Sequence, residues 1–163
     1  MDFVHNLIAQ WGYFGIFFII CVDNMNIPFP PTELVLTLIG WFIGHGVFNI
    51  WITFFVTTFA GVLGCLLFYF VMRSSGNFIL PFLQKYLRIS DEKMKKSNAF
   101  FHKHGGIALF LGRVIPGMRT VSLIPAGMLD YPLPKFLFYI TVGTAVWNGA
   151  FLFFGHIIHG LGL

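Results

Sequence analysis

Charged residues are scarce in this chain of 163 amino acids. Asp, Glu, Lys and Arg together make up 10% of the sequence, whereas hydrophobic residues make up 57%. A soluble domain carries roughly 25% charged residues, so the composition excludes an ordinary soluble protein. The length suits one domain, and we expect a single all-α integral membrane domain over residues 1–163.

Cysteine, a basic leader and catalytic motifs are also rare or missing. The two cysteines, Cys21 and Cys65, lie in apolar runs, where a free thiol packs as a small hydrophobe. The start of the chain has no basic segment followed by a small-residue cleavage site, so we expect no cleavable signal peptide. There is no legible Ser-His-Asp or Cys-His arrangement, and His156 with His159 would make a poor metal site. We therefore expect neither an enzyme nor a metal or cofactor.

Positive charge is concentrated in the middle of the chain. Residues 73–104 hold seven of the ten basic residues and two of the six acidic ones. Because basic loops stay on the cytoplasmic side of a membrane, the pattern predicts a cytoplasmic loop, parts of which lie in the interface as amphipathic helix. No base-stacking pattern accompanies the basic residues, so a nucleic-acid partner is not expected.

Five apolar segments can be read along the sequence, at residues 3–22, 34–44, 47–72, 105–129 and 136–158. At about 1.5 Å per residue, the third and the fifth are long enough to cross a hydrocarbon core roughly 30 Å thick. We predict transmembrane helices at about 47–72 and 134–158. The other segments are short or interrupted.

The first interruption is rich in proline. Pro28, Pro30 and Pro31 lie between Asp23 and Glu33, and three prolines within four residues cannot continue a helix. The pattern predicts a re-entrant helical hairpin over about 12–45, whose broken tip lies inside the membrane. An ordinary loop outside the membrane is the alternative.

The second interruption carries charge within an apolar span. Arg113 and Arg119 flank Pro116 and Gly117, and an arginine near the bilayer centre costs roughly 2.5–3.5 kcal/mol on insertion scales. Such residues mark functional sites by default. The pattern predicts a second re-entrant hairpin over about 105–130.

The two halves of the chain share a weak, ordered similarity. Gly40 and Gly127, Gly61 and Asn148, and Tyr69 and His156 are each separated by 87 positions. We predict an inverted repeat with halves of about 1–76 and 98–163, a pattern that indicates a transporter binding site where the repeats meet. Chance similarity between two glycine-rich stretches is the alternative.

The two breaks carry opposite charges, Asp23 and Glu33 in the first and Arg113 and Arg119 in the second. If the tips meet, the four charges form one neutral cluster. The arginine fork suits a phosphate, and the carboxylates can carry protons. Simple salt bridges between the hairpins are the alternative. The residues expected to break or support the hairpins are Pro28, Pro30, Pro116, Gly117, Gly127 and Asn148.

The motif at the second break is specific. It reads Arg113-Val-Ile-Pro116-Gly117-Met-Arg119, and Ala126-Gly127 follows. It resembles the signature of the DedA family, the bacterial branch of the superfamily that carries the VTT domain. Asp23-Asn24, followed by Pro28-Phe29-Pro30-Pro31-Thr32-Glu33, is similar to the acidic motif of that family.

The resemblance covers nearly the whole chain and implies two facing re-entrant hairpins and lipid transport across a bacterial plasma membrane. It implies that Asp23 and Glu33 correspond to essential acids, and Arg113 and Arg119 to essential arginines. Asp23 stands where the family usually has Glu, and Cys65 stands where it often has Asp. These departures weaken any transfer of substrate identity.

We expect a lipid translocase, flippase-like or scramblase-like, whose partners are membrane lipids. A phosphatidylethanolamine-type phospholipid would use the arginines for its phosphate and the carboxylates for its ammonium. Undecaprenyl phosphate would use the arginines alone and leave the acids for proton coupling. A proton- or ion-coupled small-solute transporter and a membrane enzyme acting on lipid phosphates are the other classes considered. A homo-oligomer is compatible with each of them.

Overall fold

The structure, a computed structural model, describes residues 2–25, 32–87, 91–115 and 119–160. Those residues form α-helices joined by short turns, without a β-strand, so the all-α prediction is confirmed for the described part of the chain. The helices are α1 (Asp2–Asn24), α2 (Thr32–Gly44), α3 (Ile50–Leu87), α4 (Asp91–His104), α5 (Gly106–Val114), α6 (Arg119–Met128) and α7 (Leu133–Gly160).

The chain divides into two compact units. The first consists of Met1–Gly64 with Thr144–Leu163, and the second of Cys65–Gly143. Both long helices, α3 and α7, contribute one part to each unit. The single membrane domain and the inverted repeat of halves 1–76 and 98–163 stay predictions.

Among the described residues, two helices are long and apolar enough to cross a membrane. They are Ile50–Gly76, within α3, and Leu133–Gly160, which is α7; they match the two long spans expected from the sequence. Their outward positions carry large apolar side chains that water would not favour, among them Trp51, Phe55, Phe59, Phe138 and Phe153.

The stretch 73–104, predicted as a loop, is largely helical. Helix α3 continues to Leu87, through Pro81, and residues Asp91–His104 form α4. Lys, Gln, Leu and Met favour helix, so a basic composition does not end one. On α4, the ammonium of Lys96 lies 2.6 Å from the carboxylate of Glu92, a pair one helical turn apart.

In the first unit, α1 and α2 form an antiparallel helical hairpin. Helix α1 bends at Gly12, whose φ of 53° and ψ of −128° are not helical. Next to the bend, the hydroxyl of Tyr13 accepts the backbone N–H of Asn49 at 2.9 Å. At the other end, the hydroxyl of Thr32 donates to the carboxylate of Asp23. Hydrogen bonds therefore tie α1 near its bend to the residue before α3, and at its end to the start of α2.

The first unit is packed by close contact of α2 with the last part of α7. A Cβ at Gly40 would overlap the backbone carbonyl of Leu152 and lie 3.0 Å from the Cα of Gly155. The small residues let the two backbones approach closely, as is common between membrane helices. Ile16, Ile20, Leu36 and Ile39 fill the core beside this contact.

In the second unit, α5 and α6 form another helical hairpin. Near its base, a Cβ at Gly105 would lie 3.3 Å from the ring of Tyr131. Helix α6 ends in a Schellman motif, in which the N–H of Tyr131 donates to the carbonyl of Ala126 at 3.0 Å. Asp130 takes the left-handed position there, with φ 50°, and its carboxylate lies 2.6 Å from Nε of Arg73. That the tips of both hairpins lie inside the membrane stays a prediction.

Replacing Gly40 by Ala should destabilise the protein. The added methyl meets backbone atoms, which cannot rotate away, so we expect a loss of about 1–3 kcal/mol in the free energy of unfolding. Thermal unfolding of purified protein in detergent measures it. The control is Gly160→Ala, since nothing lies within 4 Å of a Cβ at Gly160. Equal unfolding temperatures for the two variants would contradict the close packing of α2 on α7.

Candidate functional site

Asp23 lies at the end of α1, buried in the first unit. Its side chain is 5% exposed, and it accepts a hydrogen bond from the hydroxyl of Thr32, which is 3% exposed. Thr32 is the first residue of α2, so the carboxylate lies at a helix N-terminus, where the helix dipole favours negative charge. A buried acid is thereby held at the break in the hairpin.

The neighbours of Asp23 fix the geometry of the same break. The side-chain amide of Asn24 donates to the carbonyl of Ile20 at 2.7 Å. Glu33 lies in the first turn of α2 and is half-buried. A Cβ at Gly64 of α3 would come within 2.7 Å of Cβ of Asn24. The end of α1 therefore packs directly on α3 within the first unit.

Arg113 is buried in the second unit, near the C-terminus of a helix. It occupies the last turn of α5 and is 4% exposed. A cation at a helix C-terminus is favoured by the dipole. Its stem lies against Gly143 of α7, where an added Cβ would be 3.0 Å from Cβ and 3.1 Å from Cγ of Arg113. The missing side chain of Gly143 leaves the room in which the arginine lies.

Helix α6 begins at Arg119, whose side chain is outside the described part of the structure. The first backbone N–H groups of a helix have no partner within it and bind anions readily. The start of α6 is therefore a place where an anion would be favoured. Pro28, Pro30, Pro116 and Gly117, predicted to break the hairpins, lie outside the described residues.

The two predicted supporting residues that the structure describes are buried. A Cβ at Gly127 would lie 2.6 Å from Cβ of Met72 and 2.9 Å from the carbonyl oxygen of Tyr69, so α6 packs closely on α3 in the second unit. Asn148 of α7 is 3% exposed, and its side-chain Nδ2 finds no acceptor among the described residues. A buried donor without a partner is costly.

The structure therefore brings the predicted residues together only in part. Asp23 and Glu33 belong to the first unit, whereas Arg113 belongs to the second. The expected pairing of acids with arginines stays a prediction.

Two residues that matter to this geometry were not singled out from the sequence. Thr32, which binds Asp23, was treated as part of a proline-rich stretch, although a hydroxyl at the start of a helix is a familiar capping signal. Gly143, which accommodates Arg113, has no such local signal, because its role depends on which helix packs beside it.

The hydroxyl of Thr32 should be needed for the stability of the first break. Thr32→Val keeps the shape but removes the donor, and leaving a buried carboxylate less satisfied costs about 1–3 kcal/mol. Thr32→Ser keeps the hydroxyl and is the control. Chemical unfolding in detergent compares the two, and a Val variant as stable as the Ser variant would refute a stabilising role for the hydrogen bond.

Comparisons with known proteins were made with a family model and with individual relatives. The VTT domain matches residues 27–157. An "alkaline phosphatase-like protein" of Lactococcus lactis subsp. lactis is 34% identical over 90% of this chain and 71% of its own length. The uncharacterised membrane protein YbfM of Bacillus subtilis is 29% identical over 97% of both chains. "Undecaprenyl phosphate transporter A" of Staphylococcus aureus is 28% identical over 95% of this chain and 78% of its own.

No solved structure matches the chain significantly. The family match covers most of the sequence and includes Glu33, Arg113, Arg119, the helix Ile50–Gly76 and most of the helix Leu133–Gly160. The chain belongs to the VTT domain (DedA) family of membrane proteins.

Proposed function

We propose that this protein moves a phosphate-bearing lipid between the leaflets of a bacterial plasma membrane, and that Arg113 binds the phosphate. The observation that carries the proposal is the burial of Arg113, 4% exposed, at the broken end of α5 in a membrane protein. An ionisable side chain buried in a membrane protein marks a functional site by default. A lipid phosphate is an anion that suits the charge and the planar shape of a guanidinium.

The chemistry at the second break fits a phosphate. The planar guanidinium presents parallel N–H donors that match two phosphate oxygens. The free N–H groups at the start of α6 add donors of the same kind. Gly143 fixes the stem of Arg113 from one side, so fewer side-chain conformations are lost when the phosphate binds.

For the lipid itself we propose a polyprenyl phosphate first. The support is the Staphylococcus aureus relative, which carries the name undecaprenyl phosphate transporter A. A phosphatidylethanolamine-type phospholipid is the second substrate, because an ammonium group would give the carboxylates of Asp23 and Glu33 a direct role. If the lipid has no ammonium group, we propose that these acids take up and release protons during transport.

The membrane arrangement is part of the same proposal. Both helical hairpins enter the membrane without crossing it, and the basic segment 73–104 faces the cytoplasm. We also propose that the acids of the first break and Arg113 and Arg119 of the second act on one head group, so that the charges compensate each other during passage.

The name of the Lactococcus lactis relative raises a second function, hydrolysis of a lipid phosphate. We propose that the phosphate ester stays intact, since an arginine and backbone donors bind a phosphate but supply no nucleophile. A small-solute transporter would likewise use these charges but would leave lipids in their leaflet.

Reconstituted liposomes separate these functions. Labelled undecaprenyl phosphate and phosphatidylethanolamine are followed for leaflet exchange, with and without a pH gradient, and released inorganic phosphate is measured in the same vesicles. Faster exchange without phosphate release supports the proposal. Phosphate release would identify an enzyme, and exchange no faster than in protein-free vesicles would refute lipid transport.

Arg113→Lys should impair exchange strongly although the charge is kept. Losing bidentate hydrogen bonds to a charged group costs about 1.5–3 kcal/mol, or roughly a tenfold to hundredfold loss. Gly143→Ala should act in the same direction, because the new methyl displaces the stem of Arg113. Gly160→Ala, on the same helix, is the control. Normal exchange by Arg113→Lys would exclude bidentate binding.

Glu33→Gln should remove the dependence of exchange on the pH gradient while leaving exchange without a gradient largely intact. The amide keeps the size of the side chain but cannot take up a proton at ordinary pH. Initial rates at several imposed gradients measure the effect. Glu92→Gln, on an exposed residue of α4, is the control. An unchanged gradient dependence in Glu33→Gln would remove Glu33 from proton coupling.

A further inference from the structure

A polar cavity lies in the second unit, away from Arg113. It is an open groove of about 490 Å³ between the end of α4, the start of α5 and the start of α7. Its lining combines two kinds of side chain. Polar groups come from His104, Tyr131, Lys135 and Tyr139, and an apolar wall comes from Phe138, which is 64% exposed.

The floor of the groove is shaped by two glycines. Gly105, with φ 49°, lets the chain turn from α4 into α5, and the start of α5 has no side-chain cap. The ring of Tyr139 lies directly on Gly106, where any Cβ would overlap it. The ring of Phe101 packs edge-on against Tyr131 at 5.1 Å. The groove is therefore built by packed elements of one unit.

The lining of the groove carries the positive charge of Lys135. Lys135 and His104 are exposed along it, and the nearby acid, Asp130, has its carboxylate 2.6 Å from Arg73. Burial, with a smaller contribution from Tyr139, raises the pKa of the Tyr131 hydroxyl, although a hydrogen bond from the backbone of Gly106 opposes the change. That hydroxyl therefore stays neutral and does not repel an anion.

The groove and Arg113 lie at opposite ends of one helix. Helix α5 packs on α7 at both ends, through Gly106 against Tyr139 and through Arg113 against Gly143. Seven residues separate Gly106 from Arg113, and at about 1.5 Å per residue the two positions are roughly 10 Å apart. A head group in the groove is thus one short helix away from the buried arginine.

We infer that this groove is a second binding site for the phosphate head group of a lipid, which holds the lipid before it reaches Arg113. Lys135 attracts the phosphate, His104 and the tyrosine hydroxyls donate hydrogen bonds, and the hydrocarbon chain lies against Phe138. The passage to Arg113 rests on the proposed function, whereas binding in the groove does not.

Binding to the full-length protein in detergent tests the site. The probes are farnesyl phosphate, inorganic phosphate and farnesol, each titrated into Arg113→Gln protein, so that the buried arginine does not contribute. Farnesyl phosphate should bind more tightly than either part alone. Adding Lys135→Gln should weaken the binding of farnesyl phosphate about fivefold, which is the upper end of the contribution expected from an exposed ion pair. Lys103→Gln, one residue before His104 and outside the groove, should have no effect.

Tyr139→Phe tests the hydroxyl separately and keeps the ring on Gly106, so a folding defect is not expected. It should also weaken the binding of farnesyl phosphate. Loss of all binding in Arg113→Gln protein, or equal effects of Lys135→Gln and Lys103→Gln, would overturn the site. Inorganic phosphate binding as tightly as farnesyl phosphate would overturn the lipid assignment. If wild-type protein binds farnesyl phosphate in the groove but moves no lipid, the proposed function fails and the binding site stands.

Discussion

The burial of Arg113 constrains the rest of this structure. A buried guanidinium is costly unless dipoles and polar or charged groups compensate it. The fold supplies the dipole by ending α5 at that residue, and it supplies space by placing Gly143 of α7 against the stem. At the other break, Asp23 lies in the last turn of α1 and accepts a hydrogen bond from Thr32, the first residue of α2. The start of α2 thus helps to stabilise the buried carboxylate.

Glycine makes these arrangements possible by letting helices approach closely. Gly40 brings α2 onto α7 in the first unit, and Gly127 brings α6 onto α3 in the second. Membrane helices gain little from burying apolar surface, because lipid is equally apolar, so close van der Waals packing carries much of their association. The broken helices depend on this packing, since a short helix has few hydrogen bonds of its own to hold it in place.

The sequence was sufficient to predict the features that depend only on residues close together along the chain. Proline clusters and Arg113 indicated the breaks, and long uncharged runs indicated α3 and most of α7, since these signals need no neighbour to be read. The continuation of α3 to Leu87 was missed because basic residues were interpreted as a loop, although they favour helix. The contact of Gly143 with Arg113, and that of Tyr131 with Gly105, could not be predicted, because they depend on which helices pack together.

The most direct test of the account is the distance between the guanidinium of Arg113 and a lipid phosphorus. Solid-state NMR on protein with 13C-labelled guanidinium carbons, in bilayers containing a polyprenyl phosphate, measures it through 13C–31P dipolar dephasing. We expect a separation of roughly 4 Å, set by direct hydrogen bonds to phosphate oxygens, and weaker dephasing in Arg113→Lys, in which the Arg113 contribution is lost. Equal dephasing in both proteins would mean that the phosphate contacts other arginines, which would contradict the assignment of Arg113.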